Sequence, residues 1–274
     1  MDVIQKNKLR MNELAVGNPA LAKQVDALDW DELGAALEEC IFKKERTGLP
    51  ENYGPASYFP LSPETPEQEL LYSQAFARGE DLIRAGKTAA FTVAGGQGTR
   101  LGYDGPKGTL AVSPIKEKPL FQLFAEQLLG LSEKYGVVIP WYVMCSPLNL
   151  EATLSHFEDR KYYGLGKDHP KFFAQGVMPA TDFEGNLLLA RHDSLALSPN
   201  GHGGSLKALI DSGSVADMAE RGIEHVSYFQ VDNPLVSVIN PHLIGLHDLQ
   251  RSDMSSRSLT KTGPFEKLGN FVSI

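Results

Sequence analysis

Ala89-Ala90-Phe91-Thr92-Val93-Ala94-Gly95-Gly96-Gln97-Gly98-Thr99-Arg100-Leu101-Gly102, followed shortly by Gly105-Pro106-Lys107-Gly108, decides how this chain is read. A strand-like, mostly apolar run, Ala89 to Val93, leads into three glycines, and the next turn carries Thr99, Arg100 and Lys107 past the same point. Glycine lacks a Cβ, so its amides approach a ligand closely, and successive exposed N–H groups make a concave donor surface for phosphate oxygens. Arg100 adds a planar fork of donors and Lys107 a compact point charge, a combination suited to a polyphosphate. Two commoner phosphate motifs do not fit. A dinucleotide fingerprint needs G-x-G-x-x-G, and after Gly96 and Gly98 the third glycine arrives one residue late, at Gly102. A P-loop needs G-x-x-x-x-G-K-[ST], whereas Lys107 follows Pro106 and precedes Gly108. A plain glycine-rich turn is the remaining reading, but such turns rarely bring an arginine and a Pro-Lys-Gly with them.

Outward from this stretch, strands and helices alternate. Pro119 to Tyr135 reads as an amphipathic helix stopped by Gly136, Val137 to Met144 as a strand, Asn149 to Asp159 as a helix and Phe172 to Gln175 as a short strand. Helices are expected from Ser205 to about Ser212, from Val215 to Arg221 and from Pro241 to Arg251, with a strand from His225 to Val231. This order predicts an α/β fold with a mainly parallel mixed sheet covered by helices on both faces. Ligands of such sheets bind beyond the carboxyl ends of the strands. Upstream, Lys8 to about Lys44 reads as two or three helices, with Leu28, Leu33, Leu37 and Ile41 at helical spacing. The proline-rich stretch Thr47 to Pro63 reads as a connector. Thr65-Pro66-Glu67-Gln68 then opens a helix to about Ala85, with threonine as N-cap and proline at the first helical position. The predicted division is a helical region and connector over residues 1–86 and a nucleotide-binding part over residues 87–274.

The 274 residues carry 26 lysines and arginines against 34 acidic residues, a net charge of −8, which disfavours general coating of nucleic acid. The two cysteines, Cys40 and Cys145, are too few for a disulfide framework and read as buried free thiols in a reducing compartment. The N-terminus lacks the apolar core of a signal peptide, and the longest apolar run, Val137 to Cys145, is too short to span a bilayer. A cytoplasmic protein without membrane attachment is expected. No pattern of His192, His225, His242 and His247 with Cys or Glu supports zinc.

Asp232 directly follows an apolar strand, so its carboxylate emerges at the sheet's carboxyl edge, as a magnesium ligand or as a turn aspartate. Gln175 ends the Phe172 strand; its amide can match a uracil edge or simply face solvent. His202, in Gly201-His202-Gly203-Gly204, could donate to ribose, sugar or phosphate, or bond locally to the backbone.

Gly95 to Gly102 with Pro106-Lys107-Gly108 resembles the signature of the UTP-dependent sugar-1-phosphate uridylyltransferases, most closely their UDP-N-acetylhexosamine pyrophosphorylase branch. Pro140 to Met144, Phe172 to Ala180, Gly201 to Gly204, Glu220 to Ile223 and Val231-Asp232-Asn233 extend the resemblance over most of the chain from about Lys87. It implies a Rossmann-like nucleotidyltransferase fold that joins UTP to a sugar 1-phosphate with release of pyrophosphate. It also implies phosphate binding by Gly95, Gly96, Gln97, Gly98 and Thr99, catalysis by Arg100 and Lys107, Mg²⁺ at Asp232, and base recognition by Gln175 and the Gly201 backbone. The acetylhexosamine enzymes often carry asparagine at the position of His202 and related enzymes carry histidine, so the sugar, N-acetylglucosamine 1-phosphate or glucose 1-phosphate, stays open. The resemblance would continue past Ile274 into a sugar-gripping half. A piece of a longer chain or a minimal member is therefore expected, and a UTP-binding module without catalysis is the alternative function.

Overall fold

The computed structural model describes residues 2–43, 51–199, 201 and 203–274. In chain order, helices α1 (Val3–Ala15), α2 (Pro19–Asp26) and α3 (Trp30–Leu37) come first, and a π-turn over Glu38–Phe42 ends the third. Strand β1 (Gly54–Pro55) and helix α4 (Pro66–Arg84) precede the central sheet. Strand β2 (Thr88–Val93), helix α5 (Leu120–Tyr135), strand β3 (Trp141–Cys145), helix α6 (Leu150–Asp159) and strand β4 (Pro170–Ala174) then alternate. Short strands β5 (Val177–Pro179), β6 (Leu189–Arg191), β7 (Ser194–Leu195) and β8 (Leu197–Pro199) follow. Helices α7 (Gly204–Asp211) and α8 (Ser214–Glu220), strand β9 (His225–Gln230), helix α9 (Pro241–Leu249) and strand β10 (Val272–Ser273) complete the order.

Packing groups the chain into two compact units, Met1–Leu49 with Gly176–Gly204, and Pro50–Gln175 with Ser205–Ile274. These units do not coincide with a division at residue 86. In the first unit, apolar faces of α1 to α3 bury Met11, Leu21, Val25, Leu33 and Leu37 together with Leu187 and Leu195. Buried Asn7 donates to the Gly185 carbonyl and accepts from the Leu187 amide, both at 2.8 Å, so a polar side chain inside this core is satisfied by distant backbone. The antiparallel pairs β5–β8 and β6–β7 lie in this unit and were not anticipated. Strands of two or three residues carry too little alternation to show in sequence. Cys40 is exposed rather than buried, because the π-turn carries it onto the outer side of the chain end that follows Leu37.

The second unit holds the parallel sheet in the order β4-β3-β2-β9. Successive residues of β2 go to opposite faces. Ala90 packs with Trp141, Val143, Phe121, Phe124 and Leu128 on the α5 side, and Ala89 and Phe91 pack with Tyr142, Met144, Leu209 and Met218 on the α7 and α8 side. Both faces are covered, as a parallel sheet requires. Strand β3 starts at Trp141 rather than Val137, since Pro140 has no N–H to donate and Val138 is exposed. Thr65 caps α4 by accepting the Gln68 amide, as its sequence predicts. Helices α4 and α9 cross so closely that a Cβ at Gly79 would lie 1.8 Å from the Pro241 carbonyl oxygen, and one at Gly245 1.7 Å from that of Ala75.

Candidate functional site

Each strand of the parallel sheet is followed, past its carboxyl end, by a residue of the candidate site. Gly95 follows β2, Asn149 follows β3, Gln175 follows β4 and Asp232 follows β9. Backbone bonds beyond the last strand residues hold these ends together: Ala94 donates to the Met144 carbonyl, Gln175 to that of Cys145 and Val231 to that of Val93, at 2.7, 2.7 and 3.0 Å.

The glycine loop doubles back on itself. Gln97 bridges Pro106 in antiparallel fashion, with Gly98 N–H donating to the Gly105 carbonyl at 2.9 Å and Lys107 N–H to the Gly96 carbonyl at 3.0 Å. The amide of Gly98 is therefore spent inside the protein. Its share in the expected phosphate cradle is steric, since a Cβ there would sit 2.7 Å from Tyr103 Cδ1. By contrast, the amides of Gly95, Gly96 and Gln97 donate to no protein acceptor among the described residues. Three consecutive loop donors are thus left without a protein partner among the described residues. Thr99 and Arg100 lie in a 3-10 turn, Thr99–Leu101; both are exposed, and the Arg100 guanidinium has no ion-pair partner among the described residues.

Lys107 leaves the loop along Gly96, where a Cβ would come within 3.2 Å of Lys107 Cδ, and its Nζ donates to Asp232 Oδ2 at 2.9 Å. The side chains are 26% and 46% exposed, so the pair is solvated and costs about 1 kcal/mol or less to open. Gln175 is buried, and its side-chain amide packs on Gly95, where an added Cβ would come within 3.1 Å of Nε2. That amide makes no hydrogen bond among the described residues, so its donor and acceptor are available. The structure thus brings together Gly95, Gly96, Lys107, Gln175 and Asp232. Gly201 is exposed at a φ of +66° in the other unit, and His202 lies outside the described residues.

Two residues of the site escaped the sequence reading. Asn149 looks like a helix N-cap, yet its side chain does not cap α6 and reaches the glycine loop instead. Tyr103 packs its ring against Gly98 and Gly105 and shares a 2.8 Å hydrogen bond with Thr109 Oγ1. Neither belongs to a recognisable spacing. Cys145 is buried, and burial pushes its thiol up to about 12, away from the thiolate form.

Compared with known proteins, residues 61–274 match the family model described as UTP--glucose-1-phosphate uridylyltransferase. The chain belongs to this uridylyltransferase family. Among curated members, the UDP-N-acetylhexosamine pyrophosphorylase-like protein 1 of Homo sapiens is 37% identical over 252 residues, which cover 86% of this chain and 49% of that one. The UDP-N-acetylglucosamine pyrophosphorylase of Saccharomyces cerevisiae is 32% identical over 263 residues, covering 88% of this chain and 55% of that protein. The crystal structure of the uridine diphosphate N-acetylglucosamine pyrophosphorylase of Trypanosoma brucei, in complex with inhibitor, superposes with a TM-score of 0.83 at 23% identity. It covers 99% of this chain and 59% of the other, and it bears out the α/β fold with a parallel sheet flanked by helices. The chain spans about half the length of the curated uridylyltransferase-family relatives it matches.

Proposed function

We propose that this chain supplies the nucleotide-binding part of a uridylyltransferase that joins UTP to a sugar 1-phosphate and releases pyrophosphate. The observation that carries the reading is the pairing of three unpartnered loop amides, Gly95 to Gln97, with a lysine–aspartate pair at the carboxyl ends of adjacent parallel strands. The nucleophile, a sugar phosphate oxygen, is already anionic. It forms a bond to the α-phosphorus while the bond to the β-phosphate's bridging oxygen breaks, and the electron pair leaves with pyrophosphate. Positioning and charge relief suffice, without a general base.

In this reading the Gly95, Gly96 and Gln97 amides, with Thr99 and Arg100, hold the β- and γ-phosphates. Lys107 swings from Asp232 to offset charge growing on the α-phosphoryl oxygens. Gln175 reads the uracil; for the Gly201 backbone and for His202 the family resemblance implies contacts with the uracil and with ribose or sugar. The donor chemistry fits magnesium, since Asp232 offers an exposed hard carboxylate. Mg²⁺ held by Asp232 would share phosphate oxygens and neutralise their charge. The nucleotide-binding part is assigned to residues 87–274, the helical region and connector to residues 1–86, and the sugar to N-acetylglucosamine 1-phosphate or glucose 1-phosphate. No helix among the described residues is long and apolar enough to cross a membrane, and a cytoplasmic location accords with the reducing environment inferred from two unpaired cysteines.

A second reading, a UTP-binding unit without catalysis, draws on the chain's matching about half of its relatives' length. Calorimetry with UTP and Mg²⁺, followed by pyrophosphate release on adding either sugar 1-phosphate, separates the two. Binding with release supports the transferase, and binding without release supports the second reading. Absence of UTP binding refutes both.

A further inference from the structure

We infer that Asn149 is a positioning residue for the phosphate loop, its side-chain amide setting the direction in which the loop's unpartnered N–H groups point. The inference rests on the uridylyltransferase reading above. Asn149 is completely buried. Its Oδ1 accepts the Ser146 amide at 2.8 Å, and its Nδ2 donates to the carbonyls of Ala94 and Gly96 at 3.0 and 3.3 Å. An asparagine in front of a helix ordinarily uses its oxygen to accept an amide of the first turn. This one forgoes that contact. The bond to Ser146 fixes the amide plane from its own side of the sheet, and the two donors then face the loop.

The geometry of the peptide unit gives this clamp its consequence. A trans peptide is planar, so its C=O and N–H point in opposite directions. The Ala94 carbonyl shares a peptide with the Gly95 N–H, and the Gly96 carbonyl shares one with the Gln97 N–H. Drawing both carbonyls onto Asn149 turns both N–H groups away from it, and neither finds a protein acceptor among the described residues. Glycines at 95 and 96 would otherwise let these peptides rotate at little cost. The Gly96 carbonyl also accepts the Lys107 amide at 3.0 Å, so the same clamp registers the lysine's backbone. One buried side chain thereby aims two of the three free amides.

Calorimetry on the 274-residue chain with Mg²⁺ tests this, using pyrophosphate, UTP and UMP as probes against wild type, Asn149→Asp and Asn149→Ser. Aspartate keeps the acceptor for Ser146 but sets an oxygen against two carbonyls, and serine is too short to reach the loop. Both variants should bind pyrophosphate and UTP about 10- to 100-fold more weakly, the range expected when a hydrogen bond to a charged group is misaligned. UMP, which has no β- or γ-phosphate, should keep its affinity within about twofold. A folded variant that retains wild-type pyrophosphate affinity overturns the inference, and so does an equal loss for UMP. Loss of folding in both variants, read by circular dichroism, overturns it too, because Asn149 would then serve the fold rather than the loop. A wild-type chain that binds none of the probes refutes the uridylyltransferase reading itself, which the variants alone do not.

Discussion

Lys107 Nζ and Asp232 Oδ2 stand 2.9 Å apart, although 125 positions separate the two residues in the sequence. The sheet makes the meeting possible: the β2 loop returns through Gly105 and Pro106 to the end of its own strand, and β9 lies parallel beside β2, so both chains emerge at one edge. The pair holds a cation and an anion at the place where a triphosphate and its counter-ion would need them.

Removing either positive charge of the loop should therefore reduce turnover far more than folding. Lys107→Ala and Arg100→Ala are expected to lower kcat for pyrophosphate release by roughly two to four orders of magnitude, the range for lost preorganised charge. Both residues are solvent-accessible, so melting temperatures should stay near wild type. Unchanged turnover in either variant refutes its role.

Asp232→Asn retains shape and loses the charge. UTP affinity of the variant should respond much less to added Mg²⁺ than that of the wild type, as titration of UTP at several magnesium concentrations would show. An unaltered magnesium response would remove Asp232 from the metal site.

Gln175→Ala removes the side-chain amide that packs on Gly95. The expected result is a narrowing of the preference for UTP over CTP by about tenfold or more in competition binding, because the site loses its hydrogen-bond test of the base edge. An unchanged ratio would assign base recognition elsewhere.

Helix packing predicts a change in stability without one in chemistry. A methyl group at Gly79 or Gly245 meets backbone rather than a movable side chain, so Gly79→Ala or Gly245→Ala must push α4 and α9 apart. Each should cost at least about 2 kcal/mol and lower the melting temperature by roughly 5 °C or more. Alanine favours a free helix, so a stabilised variant would contradict the close crossing.

His169 and His156 give the pH dependence its sign. Burial lowers the pKa of both rings, and His169 Nε2 lies 2.6 Å from the Ile139 carbonyl, so the neutral ring donates there. A folded-state pKa below the unfolded value near 6.5 means that the unfolded chain takes up protons first. The stability they contribute is complete above pH 6.5 and is lost as pH falls through the folded-state values. Thermal melts should decline from pH 7 to 5.5, and His169→Gln should flatten that decline.

Legibility varied with how local the physics is. The cap at Thr65, the stop of α5 at Gly136 with a φ of +68°, and the strand that feeds the glycine loop depend on neighbouring residues, and the sequence shows them. The amide budget of the loop does not. Gly98 and Gly95 look alike in a glycine run, yet only a cross-loop bond to Gly105 distinguishes the spent donor from the free one. Asn149 and Asn7 belong to the same class, since their partners lie 55 and 178 positions away. Cys40 shows the converse, an apolar-looking neighbourhood turned outward by a π-turn that spacing alone does not announce.

A crystal structure of this chain with UTP and Mg²⁺ tests the central claim most directly. It should show triphosphate oxygens within about 3 Å of the Gly95, Gly96 and Gln97 amides, with Lys107 moved off Asp232 toward the α-phosphate. A nucleotide bound away from these amides, with Lys107 still on Asp232, would contradict it.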